Sequence, residues 1–246
     1  MQFLSLSDFS LWGAAVLAVL TGAAIGLFWL TDRRLLQRML RTFGVAVAQI
    51  ALLGVYVGLL YRLDRWWADV LWLVAMGSSV GWLSVRRSGL PWQQWLLPVA
   101  AVVTVAGGMV AGVLLLCMPG RVFVPVAGVL MVQLLTAMTQ TLRTYTSCLR
   151  HTEEHRLFLL ANGASKTEAL MPTVRRTLRG AVLPLLGQMA QPVAVAMPLL
   201  FCGLLMGGAT IAAALASTLM LWAAAFVAVV AAAVAAIWVF SRNDKL

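Results

Sequence analysis

From Gly180 to Ser241 the chain carries no Asp, Glu, Lys or Arg. No soluble fold covers its surface that way, and one bilayer-crossing helix needs only about 20 apolar residues. The run therefore spells two membrane helices, and Met206-Gly207-Gly208-Ala209-Thr210 is the natural break between them. The rest of the chain is written alike. Uncharged stretches run Leu11 to Leu30, Thr42 to Tyr61, Val70 to Val85, Leu96 to Met118 and Val122 to Leu142. Together with Ala181 to Met206 and Ile211 to Phe240 they predict a single all-α, polytopic transmembrane domain over residues 1–246, with seven spans.

Composition agrees: 62% of residues are hydrophobic and 11% charged, where soluble domains carry about 25% charged residues. A soluble enzyme and a disordered regulator are both excluded. The net charge of +10 forms no basic face for nucleic acid, because Lys and Arg lie between the apolar runs. They sort by side of the membrane instead. With seven spans and the N-terminus outside, all basic residues but Arg62, Arg65 and Arg121 fall in cytoplasmic loops or the cytoplasmic C-terminus. The third span is short on hydropathy. Deleting it would put the Arg33–Arg41 loop opposite the Arg143–Arg179 loop, so the charges require it. The first span has no basic residues before it and is not read as a cleaved signal. Trp29, Trp66, Trp67, Trp82, Trp92, Trp95 and Trp238 fall near the expected interfaces, as a tryptophan belt would.

The one sizeable polar segment is Arg143 to Arg179. It is too short for a catalytic domain. Glu153 to Ala161 reads as helix, stopped by Asn162-Gly163, where Gly suits a left-handed residue. Ser165-Lys166-Thr167-Glu168 is a capping box opening a short helix of about two turns. Pro172 suits the first turn of a third, long helix that returns to the membrane. A short helix lying across membrane-helix ends is a lever for a cytoplasmic partner; a plain hydrophilic loop is the alternative.

Leu160-Ala161-Asn162-Gly163-Ala164-Ser165-Lys166-Thr167-Glu168-Ala169 resembles the coupling segment of ABC transporter permeases of the FetB/YbbM family. Gln49 with Gly54, Val124-Pro125-Val126-Ala127-Gly128, and Pro184, Gln188, Met189, Pro198, Gly203, Gly207 and Gly208 are similar to further motifs of that family, in order. The resemblance implies a membrane subunit, exporter-like and without catalytic residues, in a bacterial inner membrane. It implies a homodimer energised by a separate cytoplasmic ABC ATPase that contacts Gly163, Ala164, Ser165, Glu168, Ala169 and Pro172. The cargo it implies is iron or another metal ion. Gly187-Gln188-Met189 departs from the family's Asn-Gln-Met, and Ala196-Met197 replaces a polar approach to Pro198. The coupling motif is thus kept better than the intramembrane polar positions. A scaffold that docks an ATPase without transporting, or a transporter of lipids or other amphiphiles, stays open.

No GxxxxGK[ST] occurs, so any ATPase is another polypeptide. No ionisable side chain lies deep in a span, which weighs against proton-coupled transport. The amides Gln49, Gln133, Gln188 and Gln191 are the candidates for a substrate path, with interhelical hydrogen bonding as the bland alternative. Pro184, Pro192 and Pro198 are candidate hinges. Gly107, Gly108 and Gly112 allow close helix contact, in the chain or across a dimer seam. His151-Thr152-Glu153-Glu154-His155 contains HxxEH but has no evident third ligand, so no metal site and no cofactor are expected. Cys117, Cys148 and Cys202 form no CxxC.

Overall fold

A peptide group in hydrocarbon can be satisfied only by its own helix or a closed sheet. The computed structural model, which describes residues 11–31, 33–63, 66–117, 123–151, 158–190 and 199–242, contains helices and no strand among those residues. They are α1 (Leu11–Thr31), α2 (Arg33–Leu63), α3 (Trp66–Ser88), α4 (Trp92–Cys117), α5 (Phe123–His151), α6 (Lys166–Met189), α7 (Leu199–Met206) and α8 (Ile211–Arg242). Among the described residues four segments are long and apolar enough to cross a membrane: Leu36–Leu59, Trp67–Ser88, Gln93–Leu114 and Ile211–Ser241. The third predicted span is among them. It gains length because Asp69 and the Arg86-Arg87 pair continue as end turns of α3. An acid at a helix start and cations at its end match the helix dipole.

The chain divides into two compact units. The smaller holds the α1–α2 hairpin and residues 202–211; the larger holds α3 to α6 and most of α8. In the smaller unit Met206 ends α7, and Gly208 follows with φ +81°. Its amide bonds Leu205 O and that of Ala209 bonds Leu204 O, a Schellman stop at the predicted break.

In the larger unit α5 is the hub. Leu130, Met131, Leu134, Met138 and Leu142 on it are at most 1% exposed. Its neighbours approach through small residues. A Cβ on Gly107 would sit 2.8 Å from the Met131 methyl, and one on Gly180 would sit 2.9 Å from Thr144 Oγ1. The tightest approach joins α3 to α4, where Gly77-Ser78-Ser79-Val80-Gly81 forms a GxxxG ridge. A side chain at Gly77 would overlap Thr104, and one at Gly81 would lie 2.8 Å from the Ala100 Cα. Gly108 faces Leu73 of α3, so Gly107 and Gly108 serve contacts within the chain and not a dimer seam; Gly112 is open.

Arg143 fixes the end of the bundle. Its Nε and Nη2 donate to Arg87 O at 3.1 and 2.7 Å, so a guanidinium closes the C-terminus of α3. Gly128 near the other end of α5 faces Trp72 near the start of α3. The two helices therefore run parallel, and Arg86, Arg87, Arg143 and, through the Gly180–Thr144 contact, Arg179 share one end of the unit. Trp95 departs from the expected belt. It is buried, with its ring edge-on to Phe240 of α8 at 4.8 Å, and Tyr145 covers the other side of Phe240 at 5.4 Å.

Gly81→Val should lower the stability of the purified protein by at least about 1–3 kcal/mol, because the obstructing atom is backbone and cannot rotate away. Gly112→Ala, into open space, should leave it unchanged. Thermal unfolding of the two variants in detergent checks both.

Candidate functional site

The polar segment leaves the 158–161 helical turn through Asn162 and Gly163. Gly163 has φ +84°, a region that L side chains rarely enter. Its amide donates to Leu160 O and that of Ala164 to Leu159 O, both near 3.0 Å, completing a second Schellman stop. Asn162 Nδ2 also donates to Phe158 O at 2.9 Å. The carbonyls that end this helix are therefore claimed locally.

The chain restarts two residues later. Ser165 has extended φ and ψ and forms both halves of the capping box. Glu168 N donates to Ser165 Oγ at 3.3 Å, and Ser165 N donates to Glu168 Oε2 at 2.9 Å. The Ser165 hydroxyl donates to the same carboxylate oxygen. The Ser165 backbone N–H, and after it the hydroxyl, hold the Glu168 carboxyl below its ordinary value of 4.5. It is ionised at the N-terminus of α6, where a negative charge is favoured.

One expectation is corrected here. Ser165 does not open a two-turn helix followed by a new one at Pro172. α6 runs unbroken from Lys166 to Met189 with Pro172 and Pro184 inside it. Pro172 removes one helical hydrogen bond, but it is exposed, so water can bond the carbonyl it leaves. The opposite face holds the helix together, with Ala169, Thr173, Thr177, Ala181 and Leu185 buried at every fourth position. Burial of that stripe, with the Gly180–Thr144 contact to α5, outweighs the lost bond.

The outward face is cationic. Glu168, Met171, Pro172, Arg175, Arg176 and Arg179 are exposed and line a depression of about 640 Å³. The three arginines entered the sequence argument only as topology markers. Spacings of seven and eleven residues from Glu168 to Arg175 and Arg179 put them on its face, and that was the available signal. Gly163, Ser165, Glu168 and Pro172 lie on the same exposed module, Ala164 is half-buried, and Ala169 faces inward as an anchor.

The path candidates separate. Gln133 Nε2 of α5 donates to Gln188 Oε1 of α6 at 3.0 Å. Gln49 is exposed on α2 of the smaller unit. Gln191, Pro192 and Pro198 lie outside the described residues, as do Thr152 to His155. His151 is exposed, with Nδ1 2.9 Å from Ser147 O. No group of three or more His, Cys, Asp or Glu that could hold a metal occurs among the described residues.

With this geometry in place the comparisons decide the family. The model of an uncharacterised protein family, UPF0014, matches residues 11–243. The chain belongs to the UPF0014 family. No curated protein and no solved structure matches it. The family match spans both units, from α1 to the end of α8.

The capping box carries a pH signature. A carboxyl whose folded value is lowered contributes stability that is complete above its unfolded value and lost as pH falls through the folded one. Hydrogen-exchange protection at Glu168 and Ala169, corrected for intrinsic rates, should be flat from pH 8 to about 5 and fall below that range. Ser165→Ala should lose about 0.5–2 kcal/mol of local stability and most of that pH dependence.

Proposed function

We propose that the chain is the membrane-spanning subunit of an ABC transporter, energised by a separate cytoplasmic P-loop ATPase and working as a homodimer. UPF0014 is a family of ABC transporter permease-like proteins, and that supports the assignment. The chain crosses the bilayer seven times, with the N-terminus outside and the C-terminus in the cytoplasm, and it exports its cargo from a bacterial inner membrane. The observation that carries the reading is the module from Asn162 to Arg179. A Schellman stop and a capping box fix a sharp corner at the tip of a 24-residue helix. That helix exposes a cationic face at its cytoplasmic end and runs on into the α5 seam. The corner enters a cleft of the ATPase, Arg175 and Arg179 meet acidic groups beside it, and closure of the ATPase pushes along the axis of α6. An acid and a base on one exposed face select the partner's register more than they add affinity.

The test is affinity purification of the chain from gently solubilised membranes. A P-loop ATPase should co-purify, and Arg175→Glu with Arg179→Glu should weaken that association roughly tenfold or more, with a similar loss at high salt. Gly163→Val, at a strain cost of order 1–3 kcal/mol, should weaken it while leaving membrane insertion intact. An ATPase that stays bound to both variants would place the contact elsewhere. ATPase binding without any effect on hydrolysis would make the chain a scaffold.

A further inference from the structure

The Gln133–Gln188 pair has hydrogen-bonding capacity that no described residue uses. A glutamine amide offers two N–H donors and a carbonyl with two lone pairs. The single bond at 3.0 Å takes one donor of Gln133 and one lone pair of Gln188. The Gln188 amino group and the Gln133 carbonyl remain, and no other hydrogen bond among the described residues reaches them. Gln188 is exposed and Gln133 half-buried. Gln133 lies ten residues before Arg143, about 15 Å along α5 from that charged end, or about half of a 30 Å hydrocarbon core. A polar side chain at that depth is costly and normally functional.

The surroundings narrow what can fill them. Val132, Leu183 and Leu186 on the same two helices are exposed and apolar, and a Cβ at Gly187, next to Gln188, would meet no atom within 4 Å. The Thr136 hydroxyl, one turn from Gln133, is spent on Val132 O. The site is thus two neutral amides in a greasy, laterally open wall. Neither Val122 to Leu142 nor Gly180 to Ser241 contains a carboxylate or imidazole. Amides can replace part of a cation's hydration but cannot neutralise a divalent charge.

We infer that the Gln133–Gln188 pair is a mid-membrane recognition site for an uncharged hydrogen-bonding headgroup, a hydroxyl or amide, carried on an apolar body that enters from the bilayer. This deepens the transporter reading and rests on it for the link to ATP. Gln188 lies on the helix that carries Glu168, twenty residues further on and about 30 Å along one axis. A push on the cytoplasmic end slides Gln188 past Gln133, parts their bond, and changes which donors and acceptors face the ligand.

The test needs no ATPase, so its failure would leave the ABC assignment standing. The full-length chain in phosphatidylcholine nanodiscs is exposed to a diacylglycerol with a diazirine in its acyl chain, and separately to Fe²⁺ alone. Photolabelling should map to peptides covering residues 126–136 and 183–189. Gln188→Met, which keeps length and linearity, should lower labelling roughly tenfold, as should Gln133→Leu with Gln188→Leu. Wild-type protein should bind no Fe²⁺ that these variants lose. Equal labelling in wild type and Gln188→Met, even with a lowered melting temperature, would reduce the pair to an interhelical bond and overturn the proposal. Fe²⁺ binding that disappears in Gln188→Met would overturn it in favour of a metal path.

Discussion

Where this chain meets hydrocarbon, water is absent and each polar group needs a partner inside the protein. The helices answer that demand for the backbone. Hydroxyls answer it by bonding the carbonyl one turn back: Thr104 to Ala100, Thr139 to Leu135, Thr141 to Ala137, Thr177 to Thr173 and Thr218 to Ala214, all at 2.7–2.8 Å. The end of α3 is closed by Arg143, and the corner after residue 161 is closed by its own turn and capping box. Ser84 Oγ and Trp95 Nε1 stay buried without a hydrogen-bond partner among the described residues, and the amides of Gln133 and Gln188 keep capacity beyond their one bond.

The same demand makes α6 the connecting element. Small and hydroxylic residues at every fourth position hold it against α5, so the tip with Ser165 and Glu168 and the end with Gln188 belong to one rod. A partner that displaces the tip displaces Gln188 as well. Two interior prolines allow the rod to bend without being cut, because burial of the opposite face is undisturbed by the missing hydrogen bonds.

Features set by neighbouring residues were legible in the sequence. The charge-free runs located α1 to α5 and α8, Gly207-Gly208 marked a stop, and Ser165 with Glu168 marked a start; the run from Ala181 to Met206 is not one helix, since α6 begins at Lys166 and ends at Met189 and α7 begins at Leu199. Features set by packing were not. Pro172 reads locally as a helix opener, and only burial of Ala169, Thr173 and Thr177 keeps it inside α6. Trp95 reads as an interface residue until Phe240, far along the chain, covers it. The GxxxG ridge at Gly77 and Gly81 was visible as letters, but nothing local says that it faces Ala100 and Thr104. Gln133 and Gln188 were each costly to bury. Their pairing joins residues 55 apart and needs the α5–α6 register.

The central claim is that α6 is continuous from the Ser165–Glu168 cap to Gln188. Spin labels at Thr167→Cys and Gly187→Cys, on a background without other cysteines, measure this directly by pulsed electron resonance in nanodiscs. A continuous helix predicts one narrow distance distribution centred near 30 Å, from about 1.5 Å per residue. A broad or clearly shorter distribution would mean that the chain turns at Pro172, and that a push on the cap does not reach Gln188 along a single helix.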